Sequence, residues 1–234
     1  MSCLPAPLSR FFQSSIGKKI LVALTGLILA GFLLGHLIGN LLVFAGPEAI
    51  NEYGHFLQTA GHGMLVWVAR ITLLTAVVVH IVCTVQLTRE NRAARPGAYA
   101  ADGTNSATRS SRIMIWSGLT ILAFVIYHLM HFTLRTGNDY ASYTTLVDGH
   151  PAHDVFRMVI AGFSWAPASI FYLIAMALLC SHLSHGVSSM FQTLGLVTNR
   201  NWPFFRFVGY AYAALIFFGN AAIVLSIWIF GYGR

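Results

Sequence analysis

Residues 20–46 read ILVALTGLILAGFLLGHLIGNLLVFAG, an apolar stretch that has no charged residue and a single histidine, His36. A helix of about 20 apolar residues crosses the hydrocarbon core of a bilayer, so this stretch predicts a membrane span. The chain of 234 residues is 56% hydrophobic and only 9% charged, which predicts a single-domain, all-α integral membrane bundle. Four more apolar stretches bring the predicted spans to five, at residues 64–88, 113–134, 167–192 and 207–231.

The fourth span lies within a longer uncharged region that runs from Met158 to Asn199. This region is too long for one crossing of a hydrocarbon core roughly 30 Å thick. Proline is tolerated in the first turn of a helix, so Pro167 is expected to open the span. Residues 158–166 are then expected to lie along the outer membrane interface.

Basic residues concentrate before the first span and in the second and fourth connections, whereas the first and third connections are rich in acidic residues. Because Lys and Arg favour cytoplasmic loops, this bias places the N-terminus and the loop from Arg95 to Ser111 in the cytoplasm. The bias also accounts for the net charge of +7 without a nucleic-acid partner. The first apolar run exceeds the roughly 7–15 residues of a signal-peptide core, so no cleavage is expected. The basic residues before the first span and in the second and fourth connections are Arg10, Lys18, Lys19, Arg89, Arg92, Arg95, Arg109, Arg112, Arg200 and Arg206.

Four histidines lie inside four different predicted spans: His36, His80, His128 and His182. Ionisable groups at this depth are rare and usually mark a functional site. With a helical rise of about 1.5 Å per residue, His36 and His128 lie roughly 24–26 Å from the inner edge, and His80 lies roughly 14 Å from it. His182 also falls in the inner half. Two layers about 10 Å apart, each with one histidine from each of two helices, predict two haems with histidine on both sides.

Two further histidines, His131 and His185, lie three residues after His128 and His182, almost on the same helical faces. Gly186 lies one turn after His182 and leaves room for a flat macrocycle, which favours His182 over His185. A lone intramembrane histidine is ordinarily a hydrogen bond between helices, so the haem interpretation depends on the matched layers. A stripe of small residues on the first span fits either close helix packing or a haem face: Gly31, Gly35 and Gly39.

Two runs of this sequence resemble the cytochrome b membrane anchor of succinate dehydrogenases and fumarate reductases, in its single-subunit, five-helix, di-haem type. They are SSIGKKILVALTGLILAGFLLGHLIGNLLVFAGPEAINEYGHFL from Ser14 to Leu57 and HLSHGVSSMFQTLGL from His182 to Leu196. The resemblance extends over the whole chain, and it implies two haem b groups. The implied iron ligands are His36 and His128 for the distal haem, and His80 and His182 for the proximal haem.

The resemblance also implies a flavoprotein subunit, an iron–sulfur subunit and a membrane quinone as partners. Electrons would pass between the iron–sulfur subunit and menaquinone or ubiquinone, so the chain would be a non-catalytic electron-transfer subunit in a bacterial cytoplasmic membrane. In relatives the positions of His131 and His185 are not ligands, which leaves them to hydrogen-bond a propionate or a quinone. The direction of catalysis and any higher oligomer of the complex stay open.

Two places are candidates for the quinone, because a quinone pocket joins apolar walls with a few polar groups. The outer candidate is formed by Glu52, His62 and Trp67, and the inner candidate by Ser14, Ser15 and Lys18. Basic residues at the inner surface, Lys18, Lys19, Arg89 and Arg92, could neutralise propionates or dock the iron–sulfur subunit, or simply follow the charge bias.

Two other classes of protein remain open. A haem-free transporter could use intramembrane histidines as a proton relay, and it would be colourless. The cytochrome b anchor of another membrane oxidoreductase, such as a hydrogenase or a formate dehydrogenase, would differ in its catalytic partner. Cys3, Cys83 and Cys180 are too scattered to form a CxxC pair, a zinc site or an iron–sulfur cluster, so cluster chemistry would come from another subunit.

Overall fold

The structure, a computed structural model, describes residues 6–94 and 114–234, with side chains from residue 10 onward in those ranges. The predicted cytoplasmic loop of residues 95–111, with Arg95 and Arg109, lies outside the described residues, as do Arg112 and Cys3. The described chain is mostly helical, and five of its helices are long and apolar enough to cross a membrane. The helices are α1 (Ala6–Gln13), α2 (Ser15–Leu41), α3 (Pro47–Thr59), α4 (Met64–Ala93), α5 (Met114–His128), α6 (Val155–Ser164), α7 (Ala166–Thr193) and α8 (Trp202–Trp228).

The spanning helices are α2, α4, α5, α7 and α8, which confirms the five spans predicted from hydropathy. A 3₁₀ turn, Leu42–Ala45, extends α2, and a π-helical turn, Leu129–Thr133, extends α5. The helix α8 begins earlier than predicted because Pro203 fits its first turn. Pro167 opens α7 in the same way, as expected from the sequence.

The segment before α7 is a separate short helix, α6, whose C-cap Trp165 has an extended backbone. A two-stranded hairpin, β1 (Thr144–Val147) and β2 (His150–His153), precedes α6 and is an exception to the all-α prediction. Its two-residue turn, Asp148 and Gly149, has φ values of +50° and +78°. Asp-Gly is a preferred pair for such left-handed hairpin turns, so local sequence explains the hairpin.

The helices pack unequally. Helices α7 and α8 pack along each other, and α2 packs against α4, α7 and α8. Helix α5 packs against α7, and within the described residues α4 and α5 do not pack along each other. The four histidine-bearing helices therefore follow the spatial order α4, α2, α7, α5, with α8 behind α2 and α7. The most deeply buried side chains belong to this central part and are Leu37, Val43, Ser169, Ile216 and Ile227.

The two ends of the bundle differ in character. One end, called the basic end here, holds the start of α2 and the end of α4, where the Lys18 ammonium pairs with the Glu90 carboxylate. The other, called the hairpin end, holds α3, the hairpin and α6. There the buried Asn51 side chain donates to Asp154 Oδ1 at 3.1 Å and accepts from the Phe156 amide at 3.0 Å. This contact joins α3 to the start of α6.

Candidate functional site

The structure places His36 and His128 side by side, near the hairpin end. Their ring centroids are 5.7 Å apart and their ring planes are almost perpendicular, at 87°. Metal–imidazole bonds of about 2 Å put the centroids of two trans ligands roughly 6 Å apart. The two rings are thus separated as two ligands on opposite sides of one metal would be.

The other two histidines, His80 and His182, lie nearer the basic end and are close enough to influence each other electrostatically. Each has a hydroxyl partner on the neighbouring helix. Thr25 Oγ1 lies 3.1 Å from His80 Nδ1, and Ser117 Oγ lies 3.1 Å from His182 Nδ1. The two rings are therefore held in the same way: a hydroxyl of α2 contacts His80 of α4, and a hydroxyl of α5 contacts His182 of α7.

A glycine follows each of these hydroxyl residues and lies against the ring. A Cβ atom added at Gly26 would lie 3.6 Å from His80 Cε1, and one added at Gly118 would lie 3.7 Å from His182 Cε1. These are ordinary van der Waals distances for an added Cβ atom, so each glycine faces the ring with room for about one methyl group.

The hydrogen bonds also determine which ring nitrogen of His80 and His182 carries the proton. The Thr25 hydroxyl donates to the Leu21 carbonyl at 2.7 Å, and the Ser117 hydroxyl donates to the Met114 carbonyl at 3.0 Å. A hydroxyl has only one hydrogen, so its oxygen must accept from the imidazole Nδ1–H. Nε2 then keeps its lone pair, which is the form of histidine that binds a metal.

The surroundings of His131 differ from those of its neighbour His128. His131 is only 7% exposed, and its Nδ1 lies 3.2 Å from Tyr172 Oη while its Nε2 lies 3.5 Å from Tyr140 Oη. Both ring nitrogens therefore have protein partners. His128 Nδ1 also contacts Tyr172 Oη, at 3.1 Å, but the His128 Nε2 atom has no hydrogen-bond partner among the described residues.

The small residues beside these histidines fall into two groups. A Cβ atom at Gly39 would lie 2.5 Å from the Tyr53 ring, so Gly39 serves close packing. A Cβ atom at Gly31, Gly35 or Gly186 would meet nothing within 4 Å. Gly39 therefore confirms the close-packing role, whereas Gly31 and Gly35 are exposed and their role as a haem face stays a prediction. Gly186 leaves room beside His182.

These observations test whether the residues fit two haems. A porphyrin occupies four positions around its iron, so the protein must supply two facing imidazoles and flat apolar walls. His36 and His128 meet the first requirement, with ring centroids 5.7 Å apart, and His80 and His182 lie near enough to influence each other electrostatically. A Cβ atom at Gly186 would meet nothing within 4 Å, which leaves space beside His182. Among the described residues no three His, Cys, Asp or Glu side chains converge to hold a bare metal ion. The donor set fits haem, with His185 as a neighbour of His182.

The inner quinone candidates have structural partners. Ser14 caps α2 by accepting from the Gly17 amide at 2.9 Å. Ser15 donates to Glu90 at 3.4 Å, and Lys18, buried at 7% exposure, pairs with the same carboxylate. Glu90 was not predicted from the sequence, where it is surrounded by arginines at the end of α4. The three predicted residues therefore join α1, α2 and α4.

The outer quinone candidates are exposed and have no recorded contact with one another in the part of the chain that the structure describes. Trp67 is 60% exposed and stacks beneath the Arg70 guanidinium, 5.1 Å from the ring centre. His62 lies in a tight turn with φ of +56°. Glu52 lies on the exposed side of α3. The structure does not bring these three side chains together.

A cavity of about 360 Å³ lies nearby, between α3 and the hairpin. Its polar residues on α3, His55, Gln58 and Thr59, recur at helical spacing, so the sequence contains a signal for this cavity wall. A second cavity, of about 260 Å³, lies at the basic end beside Arg206 and Tyr210. The larger cavity is lined by His55, Gln58, Thr59, Thr144, Pro151, Ala152 and His153.

His153, on the wall of the larger cavity, is held in its neutral form. Arg135 Nη1 lies 3.5 Å from His153 Nδ1, and His153 Nε2 lies 3.3 Å from the Met158 sulfur. Burial, and then the nearby Arg135 charge, lower the pKa of His153 below its ordinary value. Arg135 itself has a buried Nε with no hydrogen-bond partner among the described residues.

No protein-family model, curated protein or solved structure matches the chain. The resemblance to cytochrome b anchors therefore rests on the quoted runs and on the four histidines.

Proposed function

We propose that this chain is the di-haem cytochrome b anchor of a succinate:quinone oxidoreductase. The observation that carries the proposal is the close approach of His36 and His128 from two helices, together with the matching hydroxyl partners of His80 and His182 on two others. In His80 and His182, Nδ1 is hydrogen-bonded to a hydroxyl that itself donates to a backbone carbonyl, which leaves Nε2 available to bind iron. A purely structural histidine has no need of a partner histidine at ligand distance, as His36 and His128 have.

In this proposal each residue has a defined task. His36 and His128 would hold one haem, and His80 and His182 would hold the other. When bound, the haems would supply one-electron transfer, and two histidines would hold each haem. The protein's own contribution is to fix the tautomer and orientation of the ligands and to exclude water with apolar helices.

The proposed orientation places the basic end in the cytoplasm of a bacterium, where an iron–sulfur subunit and its flavoprotein partner would dock. Lys18 is buried against Glu90 and is therefore a poor docking residue. Lys19, Arg89 and Arg92 are exposed and would supply the positive surface. The chain itself would carry electrons and react with quinone, without contacting succinate.

The quinone would bind at the hairpin end, in the cavity between α3 and the hairpin. Quinone carbonyls accept hydrogen bonds, and His55 and Gln58 offer donors on one wall, whereas the Thr59 hydroxyl already donates to the His55 carbonyl at 2.9 Å. Glu52 lies one turn earlier on the same side of α3, which connects the cavity to the predicted outer candidates. The inner candidates are less suited, because Ser14 and Lys18 are already engaged.

One observation favours a haem-free proton transporter as the second candidate. Tyr172 bridges His128 and His131 inside the bundle, an arrangement that could relay protons. The cytochrome b anchor of another oxidoreductase fits the paired histidines equally well and differs only in its partner.

Purification of the chain from its native membranes distinguishes these functions. We expect a red protein with two haem b per chain by pyridine haemochrome analysis, reduced by succinate and copurifying with a flavoprotein and an iron–sulfur protein. A colourless chain would refute the haem proposal and favour the transporter. A red chain with a different catalytic partner, unresponsive to succinate, would refute only the choice of enzyme.

A further inference from the structure

A buried line of hydrogen bonds leads away from His128 toward the hairpin end. Tyr172 Oη lies 3.1 Å from His128 Nδ1 and 3.2 Å from His131 Nδ1, and Tyr140 Oη lies 3.5 Å from His131 Nε2. The side chains of Tyr172, His131 and Tyr140 are only 5%, 7% and 8% exposed. Buried polar groups need partners, so the hydrogens in this line must be arranged consistently.

The arrangement differs from that of the other two ligands. The hydroxyls beside His80 and His182 donate to backbone carbonyls, so their oxygens can only accept from the ring. Among the described residues the Tyr172 hydroxyl has two hydrogen-bond partners, and both are imidazole nitrogens. Its single hydrogen must therefore go to one histidine, while its oxygen accepts from the other.

The choice between the two histidines determines whether His128 can bind iron. If Tyr172 donates to His128 Nδ1, the neutral His128 ring carries its proton on Nε2 and cannot coordinate through that atom. If Tyr172 donates to His131 Nδ1, its oxygen accepts from His128 Nδ1–H, and His128 Nε2 keeps its lone pair. His131 then has its own proton on Nε2, directed at Tyr140.

Several contacts hold His131 in the position to accept this proton. Its ring lies 4.1 Å from the Phe132 ring, and its carbonyl accepts from Asn138 Nδ2 at 3.2 Å. A Cβ atom at Gly162 would lie 3.3 Å from His131 Cε1, so the glycine of α6 allows the close approach. The π-helical turn of residues 129–133 carries the ring, and such turns are frequent at functional sites.

We infer that Tyr172 and His131 are positioning residues that hold His128 in its metal-binding tautomer and orientation. His131 supplies the acceptor that directs the Tyr172 hydrogen away from His128. The inference rests on the proposed function, because it needs His128 to be a haem ligand. It assigns to His131 a role other than contact with a propionate or a quinone.

The test compares Tyr172→Phe, His131→Leu and His131→Gln in the purified complex, with Tyr127→Phe as a matched control. Tyr127 belongs to the same aromatic cluster, and its hydroxyl has no hydrogen bond among the described residues. The readouts are the midpoint potential of each haem, the haem content and the ferric EPR spectrum. The EPR anisotropy reports the angle between the two ligand rings, which is 87° for His36 and His128.

For Tyr172→Phe we expect both haems to be retained. The hairpin-end haem should have a raised midpoint potential and a changed EPR signal. In the wild type the Tyr172 oxygen accepts from His128 Nδ1–H and makes this ligand more basic, and the variant loses that effect. The basic-end haem should be unchanged. For His131→Leu we expect less than one hairpin-end haem per chain, because Tyr172 then donates to His128.

For His131→Gln we expect recovery toward the wild-type values, since an amide oxygen can accept from Tyr172 while the amide nitrogen donates to Tyr140. The basic-end haem signals correct assembly in each variant. If Tyr172→Phe and His131→Leu match Tyr127→Phe, or if both haems shift equally, the inference is wrong. A wild-type chain without haem would instead overturn the proposed function, and the inference with it.

Discussion

Replacement of Thr25 by valine would test the basic-end pair of histidines directly. Valine has nearly the same shape as threonine, so the change removes the hydroxyl and little else. Thr25 is 8% exposed, and its oxygen accepts the Nδ1–H of His80 at 3.1 Å. In the variant this buried N–H has lost its hydroxyl acceptor, and the ring is freer to turn.

Two routes give the size of the effect. A buried donor left without its partner costs about 1–3 kcal/mol, which corresponds to roughly a 5- to 150-fold change in affinity. Loss of a hydrogen bond to a metal-bound histidine typically weakens metal binding by about 10- to 100-fold. The two ranges agree, so Thr25→Val should weaken retention of the basic-end haem by about one to two orders of magnitude.

The assay is transfer of haem from the purified complex to an excess of a haem-scavenging protein, followed spectroscopically. The basic-end haem should leave faster from Thr25→Val, while the hairpin-end haem keeps its wild-type rate. Thr120→Val is the matched control, because the Thr120 hydroxyl is exposed and bonds only to its own helix, at Trp116. Equal transfer rates for Thr25→Val, Thr120→Val and wild type would refute the tautomer argument at His80.

Three further predictions concern other parts of the bundle. Gly186→Leu should lower the content of the basic-end haem in the purified complex, because its side chain enters open space beside His182; full haem content would contradict this. Asn51→Leu should destabilise the protein by about 1–3 kcal/mol in thermal unfolding, since the Phe156 amide loses its acceptor; an unchanged midpoint would show that the contact is not needed. Acidification should destabilise the fold as the pH falls below 6.5, because the lowered pKa of His153 makes the folded state take up its proton later than the unfolded state. His153→Gln should reduce this loss, and an identical pH dependence would contradict the assignment.

The sequence predicted the features that depend on hydropathy and helical rise. Hydropathy located the five spans, and the 1.5 Å rise paired His36 with His128 across two helices that are distant in sequence. Pro167 was placed correctly because proline restricts the first helical turn in a way that does not depend on tertiary structure.

Other features were missed because they depend on partners or on local signals that hydropathy ignores. The hairpin turn at Asp148 and Gly149 was signalled by its residue pair, but the strands around it are short. Glu90 lies between Arg89 and Arg92 in the sequence, and only the packing of α2 on α4 brings its partner Lys18 next to it. Tyr172 is one of nine tyrosines, and only the packing of α5 on α7 selects it.

The unequal packing of the helices has a consequence for biosynthesis. Of the five long apolar helices, α2 is made first, yet it packs on α7 and α8, which are made last. In its most apolar part only 6% of α4 is buried, against 39% for α7. Helix α2 is therefore inserted in the bilayer before α7 and α8 are available to pack on it, as expected when insertion precedes packing. His182, on α7, joins His80 only after α7 has been synthesised. If the basic end holds the proposed haem, its loading would be a late event, which follows translation of at least three quarters of the chain.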